Sequence, residues 1–139
     1  MANFLVAVPN YSIANQIARL LNNQNRLRSK HSAQSILRDP ATYFVELEGD
    51  RVVGCTGLLK QTNDVSKSFH TSVAPDKMGK GLGTKLMQIA VNNCKTPFIF
   101  GTIREDNHAS LRMVSKLGFK PLARTLVQNH YIITVGRYI

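Results

Sequence analysis

Twice in its second half the sequence changes from the two-residue alternation of a strand to the spacing of a helix and back again. Residues 65–73 alternate, apolar residues at helical spacing follow over 86–91, and residues 97–103 form an apolar run. A second helical segment opens at Asn107 and leads into the last strand patterns. Because a strand, a helix and a strand in succession form a crossover, these two passages predict a sheet with parallel or mixed pairing.

The first half of the chain predicts an antiparallel arrangement. Residues 4–8 form a short apolar strand, Ser12 is placed as the N-cap of a first helix, and residues 31–37 fit a short second helix. Further strand patterns lie at 43–48, 51–59, 65–73, 122–127 and 131–138. With 139 residues, 43% of them hydrophobic, the chain fits one domain over residues 1–139. The predicted fold is mixed α/β, with a central sheet of about seven strands flanked by about four helices.

The net charge is strongly positive. Eighteen Lys and Arg residues against eight Asp and Glu residues give +10 at pH 7. Residues 1–38 contain five of these cations and no Asp or Glu. Such a surface attracts nucleic acid, phosphate-bearing cofactors or an acidic substrate, although it is equally typical of a solubilising exterior.

Cysteine and histidine usage predicts no metal site. Cys55 and Cys94 have no C-x-x-C spacing, and the four histidines are scattered. No apolar run approaches the roughly 18 residues of a membrane span, and the apolar stretch at 4–8 has no basic leader of the kind found in secretory signals. We therefore expect a cytoplasmic protein with reduced thiols.

A glycine-rich loop joins the strand ending at Val73 to the next helix. Three glycines alternate within it, at Gly79, Gly81 and Gly83. Glycine lets backbone N–H groups approach a ligand closely, and the first turn of a helix favours phosphate. The spacing matches neither the P-loop of nucleotide hydrolases nor the dinucleotide fingerprint G-x-G-x-x-G.

This loop is similar to the acyl-coenzyme A loop of the GNAT superfamily of N-acetyltransferases, Q/R-x-x-G-x-G/A after a strand. Gly81 and Gly83 occupy its glycine positions, whereas Met78 stands where the family has Gln or Arg. The resemblance implies that acetyl-CoA is the cosubstrate, without a metal, and that the loop holds its pyrophosphate. The cofactor-binding residues implied here are Ser72, Val73, Met78, Gly79, Lys80, Gly81, Leu82, Gly83 and Thr84.

Residues 107–119 resemble a later motif of the same family, an Asn-led helix closing on Lys-Leu-Gly-Phe. The resemblance implies that Asn107 is a hydrogen-bond partner of the cofactor and that Ser110 lies near it. Many family members place a Tyr two residues before that Lys to protonate the leaving thiolate. Val114 occupies the position here, so no general acid is assigned.

The resemblance further implies direct transfer of the acyl group to an amine within a ternary complex. The pantetheine arm would lie between the strand at Phe69 and the strand at Ile99, and a backbone N–H would polarise the thioester carbonyl. A base must also help the amine lose its proton, for which His70 is the first candidate and Glu46 the second.

Strand alternation assigns a face of the sheet to the first of these candidates. Counting from Val65, it puts Phe69 and Thr71 on one face and His70 with Ser72 on the other. A one-residue bulge in this strand would swap the assignment.

Two functions from different classes remain open. The first is an N-acetyltransferase acting on a primary amine of a small molecule or peptide. The resemblance implies that the first two helices shape the acceptor site, where the basic, acid-free stretch from Arg19 to Arg38 would disfavour polyamines and basic peptides and tolerate an anionic acceptor. The second is a GNAT-fold module that binds coenzyme A or a polyanion without turnover. Binding to nucleic acid and formation of a homodimer are left to experiment. Lys67, Arg104 and Arg112 are read either as substrate or phosphate contacts or as solvated surface charges.

Overall fold

A computed structural model describes residues 10–24 and 30–139, together with the backbone of residues 3–6. These residues form seven strands and four helices. In chain order they are β1 (Asn3–Val6), α1 (Tyr11–Gln24), α2 (Ala33–Arg38), β2 (Thr42–Glu48), β3 (Arg51–Lys60), β4 (Val65–Val73), α3 (Leu82–Asn93), β5 (Phe98–Arg104), α4 (His108–Lys116), β6 (Lys120–Val127) and β7 (His130–Tyr138).

All seven strands belong to one sheet in the order β1-β2-β3-β4-β5-β7-β6. Neighbouring strands are antiparallel except β4 and β5, which are parallel because α3 returns the chain to the same end of the sheet. The predicted mixed sheet of about seven strands with about four helices is therefore confirmed.

The helices cover the sheet in two layers with separate apolar cores. On one face, Ile17 and Leu21 of α1 and Ile36 of α2 pack against β2 and β3. On the other face, Met87 of α3 and Val114 of α4 pack against β5 and β7. The face on which a side chain lies thus decides which pair of helices it meets.

Two details of the helix starts differ from the sequence prediction. Ser12 lies inside α1, and Asn10 caps this helix instead, because its side-chain oxygen accepts the Ile13 N–H at 3.2 Å. The second helix begins at Ala33 with Ser32 as its cap, two residues later than predicted. Both positions offered several adjacent polar residues that are able to cap. The predicted strand at 4–8 extends in part beyond the described residues.

Candidate active site

The sheet divides between its two parallel strands. Residues Val65–Lys67 of β4 pair with Phe98–Phe100 of β5, and no pairing between these strands continues beyond them. Ile99 pairs with Ser66, and the gap between the two strands opens farther along β5, next to Gly101 and Thr102. A cleft of about 470 Å³ occupies this gap.

Both helix layers contribute to the cleft wall. The residues that line it from β4 and α3 are Lys67, Ser68, Phe69, His70, Thr71 and Met87. Across the cleft, the lining comes from β5, α4 and β7 together with Gln24 and Phe119, and it includes Arg104, Asn107, Ser110 and Val114. Among the lining residues that the structure describes there is no carboxylate.

The glycine loop lies between the end of β4 and the start of α3. Gly79 and Gly81 have φ angles of 76° and 81°, a left-handed conformation that most other residues adopt only with strain. Gly81 stands at the N-cap of α3, where none of the described side chains caps the helix. The first N–H groups of the helix therefore remain available as donors, as an anion-binding loop requires.

The side chains of this loop divide between core and solvent. Leu82 is buried against Val53 and Leu86, so only its backbone can meet a ligand. The remaining positions are exposed or, at Gly83, half-buried; they are Met78, Gly79, Lys80, Gly81, Gly83 and Thr84. Ser72 and Val73 line no part of the cleft, so their predicted contact with the cofactor would involve backbone atoms.

Ion pairs fasten the loop to the neighbouring strands. Arg51 of β3 binds Asp76 through both carboxylate oxygens, and this hydrogen bonding lowers the pKa of Asp76 to about 2. Lys77 pairs with Glu48 of β2. The charge of Lys77 is therefore neutralised by a carboxylate. The exposed Lys80 side chain remains as a source of positive charge in the loop.

A β-bulge in β4 sets the direction of His70. Cys55 pairs with Ser72 and Gly57 pairs with Phe69, so His70 and Thr71 together oppose the single residue Thr56. His70 takes up the extra length with a φ of 55°. The bulge lies at the part of β4 that has separated from β5.

The bulge overturns the prediction that Phe69 and His70 lie on opposite faces of the sheet. The His70 ring lies 4.2 Å from the Phe69 ring, on the side of α1 and α2. Thr71 points the other way, where its hydroxyl contacts Met87 Sδ of α3. His70 and Phe69 therefore share one face, because the extra residue shifts the alternation by one position.

His70 is half-buried in a polar and aromatic setting. Its Nδ1 lies 2.9 Å from the Tyr43 hydroxyl, and its ring centroid lies 4.6 Å from that of His31. Burial is the main reason that the pKa of His70 falls to about 4, with further lowering by His31 and Lys67 and an opposing effect of Asp39. At neutral pH the ring is therefore neutral and able to accept a proton.

The other candidate base is not in the cleft. Glu46 of β2 lies opposite Gly54. Gly54 faces Leu82 and Leu86 of α3, so Glu46 is on the face opposite to His70. The cleft lining does not include Glu46.

The second predicted motif lies on the far wall of the cleft. Asn107 is the N-cap of α4, and its side-chain oxygen accepts the Ser110 N–H at 3.2 Å. Gly118, with a φ of 88°, ends the helix as its C′ residue, where the Phe119 N–H binds the Val114 carbonyl. Asn107 and Ser110 both line the cleft, as a cofactor contact would need.

Sequence reasoning missed Tyr43 and Asp39, which are joined to His70 by hydrogen bonds. Tyr43 belongs to an alternating strand and is typical of a core residue, while Asp39 precedes a proline and is typical of a helix end. Nothing in the local pattern of either residue indicates the long-range contact with β4.

Comparison with known proteins identifies relatives of this arrangement. The model of the acetyltransferase (GNAT) family matches residues 11–119. No curated protein sequence matches the chain significantly. No helix within the described residues is long and apolar enough to cross a membrane. The same residues contain no group of three or more His, Cys, Asp or Glu side chains arranged to hold a metal ion.

Several solved structures have the same fold at low sequence identity. The ribosomal-protein-S18-alanine N-acetyltransferase from Escherichia coli has a TM-score of 0.83 at 14% identity, covering 100% of this chain and 94% of that one. Ard1 from Thermoplasma volcanium has a TM-score of 0.82 at 18% identity, with coverages of 99% and 97%. The putative acetyltransferase yncA from Salmonella typhimurium, solved with its cofactor acetyl-CoA, has a TM-score of 0.81 at 16% identity, with coverages of 99% and 94%.

Proposed function

Because the chain belongs to the GNAT acetyltransferase family, we propose that it is an acetyl-CoA-dependent N-acetyltransferase acting on a primary amine. The observation that carries this proposal is the cleft between β4 and β5, with a half-buried neutral histidine in its wall and the glycine loop following β4 in the chain. Acetyl-CoA supplies an activated acyl group as a thioester, and the residues of the chain hold it beside the amine.

The glycine loop fits the pyrophosphate of acetyl-CoA. The left-handed Gly79 and Gly81 turn the backbone at the open first turn of α3, and a Cβ atom added at either glycine would meet nothing within 4 Å. Backbone donors and the exposed Lys80 side chain then provide the positive potential at this site. In other family members a Gln or Arg at the position of Met78 also contributes to binding the pyrophosphate. In this proposal Met78 contributes only its backbone.

The unpaired part of β4 fits the pantetheine arm. An extended arm lying along β4 would take the place of the missing strand, with Asn107 and Ser110 on the opposite wall. A β4 backbone N–H near Ser72 or Val73 would stabilise the oxyanion that develops on the thioester carbonyl. With Val114 in the place of a tyrosine, the departing thiolate takes its proton from water.

His70 acts as the base in this proposal. An uncharged amine attacks the carbonyl, and its nitrogen becomes cationic as the new bond forms. That nitrogen is a much stronger acid than a free ammonium ion, so a histidine of lowered pKa is able to accept its proton. The proton leaves the nitrogen for the His70 ring as the thiolate departs.

The cleft favours an amine that also carries negative charge. Lys67 and Arg104 line it without any carboxylate among the described lining residues, although Arg104 also contacts Asp106 at 3.5 Å outside the lining. The proposed acceptor is therefore a small molecule or peptide amine with a carboxylate or phosphate nearby. We place the reaction in the cytoplasm, where free thiols such as Cys55 and Cys94 stay reduced.

Release of free coenzyme A tests the proposal. The protein is mixed with acetyl-CoA and a panel in which each neutral amine is paired with a carboxylate- or phosphate-bearing analogue. We expect amine-dependent thiol release that is faster for the anionic member of each pair. Binding of acetyl-CoA without thiol release for any amine would instead support a binding module without turnover.

A further inference from the structure

His70 is connected to a carboxylate through Tyr43. The Tyr43 hydroxyl donates to Asp39 Oδ2 at 2.9 Å and lies at the same distance from His70 Nδ1. A phenolic hydroxyl has one proton to donate, and here the carboxylate oxygen receives it. The hydrogen bond to His70 must therefore run in the other direction, with Nδ1–H as the donor and the Tyr43 oxygen as the acceptor.

We propose that Asp39 and Tyr43 are positioning residues that hold neutral His70 with its proton on Nδ1, so that Nε2 keeps the lone pair that serves as the base. A neutral imidazole has one protonated and one unprotonated nitrogen, and the partner of one nitrogen fixes the state of the other. No described residue is hydrogen-bonded to Nε2, and His70 is one of the residues that line the cleft. This inference rests on the proposed role of His70.

The hydrogen bonds from His70 to Tyr43 and from Tyr43 to Asp39 form a relay, and the surrounding groups keep each donor and acceptor in these roles. Burial and the Asp39 carboxylate raise the pKa of Tyr43 above its ordinary value, so the hydroxyl retains its proton. The second Asp39 oxygen accepts the Ala41 N–H at 2.9 Å, which fixes the carboxylate at the end of α2. Both oxygens of Asp39 therefore act as acceptors.

Packing holds the Tyr43 ring in place. Tyr43 is 3% exposed, and its ring lies within 9° of parallel to the His70 ring. Gly57 leaves the necessary room, because a Cβ atom there would stand 3.2 Å from both the Tyr43 and Phe69 rings. The left-handed turn at His70 brings its imidazole to this side of the sheet.

Other charged and titratable groups near His70 come from each element around it. His31 approaches from the segment before α2 and Lys67 from β4 itself, and both lower the pKa of His70. Cys55 of β3 donates its thiol to the His70 carbonyl, and burial raises the pKa of that thiol to about 12. None of these three groups occupies Nδ1, so the choice of tautomer depends on Tyr43 and Asp39.

Nitrogen NMR of the ¹⁵N-labelled protein without substrate tests the relay, because protonated and unprotonated ring nitrogens have well-separated shifts. At pH 7 we expect His70, assigned by the loss of its signals in His70→Gln, to have a protonated Nδ1 and an unprotonated Nε2. In Asp39→Ala the Tyr43 hydroxyl is free to turn and donate to Nδ1, so the proton should move to Nε2. Tyr43→Phe should remove the preference for Nδ1–H.

His31→Gln is the matched control. It removes the neighbouring imidazole but leaves the relay, so the Nδ1–H form should persist while the pKa of His70 rises. A wild-type ring protonated on Nε2, or a tautomer unchanged in Asp39→Ala, would overturn the proposal. If one variant fails to fold, the wild-type spectrum and the other variant still decide the outcome.

Kinetics separate this inference from the proposed function. We expect Asp39→Ala to lower kcat by at least tenfold, within the roughly 10²-fold or greater share that a base contributes, with KM for acetyl-CoA unchanged. If the tautomer depends on Asp39 as predicted but kcat of Asp39→Ala is unchanged, the relay is supported and His70 is not the base. A tautomer that does not depend on Asp39 would remove the relay and leave His70 as the base.

Discussion

At the scale of single residues, the pKa of His70 decides how the rate should depend on pH. A histidine of ordinary pKa would become protonated, and so stop acting as a base, as the pH falls below about 6.5. Because burial lowers the pKa of His70 to about 4, the neutral ring is present throughout the range from pH 5.5 to 9. The sequence supplied the residue type but not the burial, which depends on Tyr43 and Phe69 from neighbouring positions in the sheet.

We predict that kcat/KM, divided by the fraction of free amine, is flat from pH 5.5 to 9 in the wild type. His70→Gln should lower kcat/KM by about 10²-fold across this range, because a proton acceptor is lost while the binding site for acetyl-CoA is unchanged. Steady-state kinetics with acetyl-CoA and one acceptor measure both effects. Wild-type rates in His70→Gln would show that the amine loses its proton to water.

Substitutions of Gly81 test whether the glycine loop binds the pyrophosphate, with a closely matched control. Asp and Asn have nearly the same shape and tolerate a left-handed backbone better than most residues. Acetyl-CoA should raise the Tm of the wild type and of Gly81→Asn, because it binds the folded state. In Gly81→Asp the carboxylate would repel the pyrophosphate, so we expect the shift to disappear. An equal increase in Tm with acetyl-CoA in both variants would show that this loop does not bind the pyrophosphate.

At the scale of elements, apolar runs and two-residue alternation predicted the strands and their order along the chain. The bulge in β4 left no such trace. Ser66, Ser68, His70 and Ser72 are polar at every second position, so one extra residue does not disturb an apolar pattern. Phe69 and His70 were consequently predicted on opposite faces, which is wrong, although the strand that carries them was predicted correctly.

Helix α4 is capped by the side chain of Asn107, which the sequence analysis placed at the start of the helix and assigned as a cofactor contact. Because the Asn107 side chain accepts the Ser110 N–H, Asn107→Ala should lower the stability by about 1 kcal/mol. Asn107→Ser keeps a capping oxygen but loses the amide group, so it should restore most of this stability. Denaturant unfolding measures the difference.

The same two variants separate capping from ligand contact. If the amide binds acetyl-CoA, both variants should bind it more weakly than the wild type does. If Asn107 only caps the helix, Asn107→Ser should bind with wild-type affinity.

At the scale of the whole molecule, the net charge of +10 admits polyanion binding as well as an anionic acceptor. The structure locates part of this charge inside the cleft, where Lys67 and Arg104 lie, and part in ion pairs such as Arg51 with Asp76. Composition could not distinguish these locations because they depend on which strands are neighbours. The fold itself followed from the order of the elements and the two motifs.

The short parallel contact between β4 and β5 also has a consequence for how the protein opens. It joins a four-stranded and a three-stranded part of the sheet through three residue pairs. Proteins open locally in cooperative units, and α1 and α2 pack on the four-stranded part while α4 packs on the three-stranded part, with α3 in contact with both. We therefore expect two groups of amides in native-state hydrogen exchange, divided at this contact. Acetyl-CoA lying across it should bring the two groups to a common opening free energy, whereas a single group in the free protein would contradict the division.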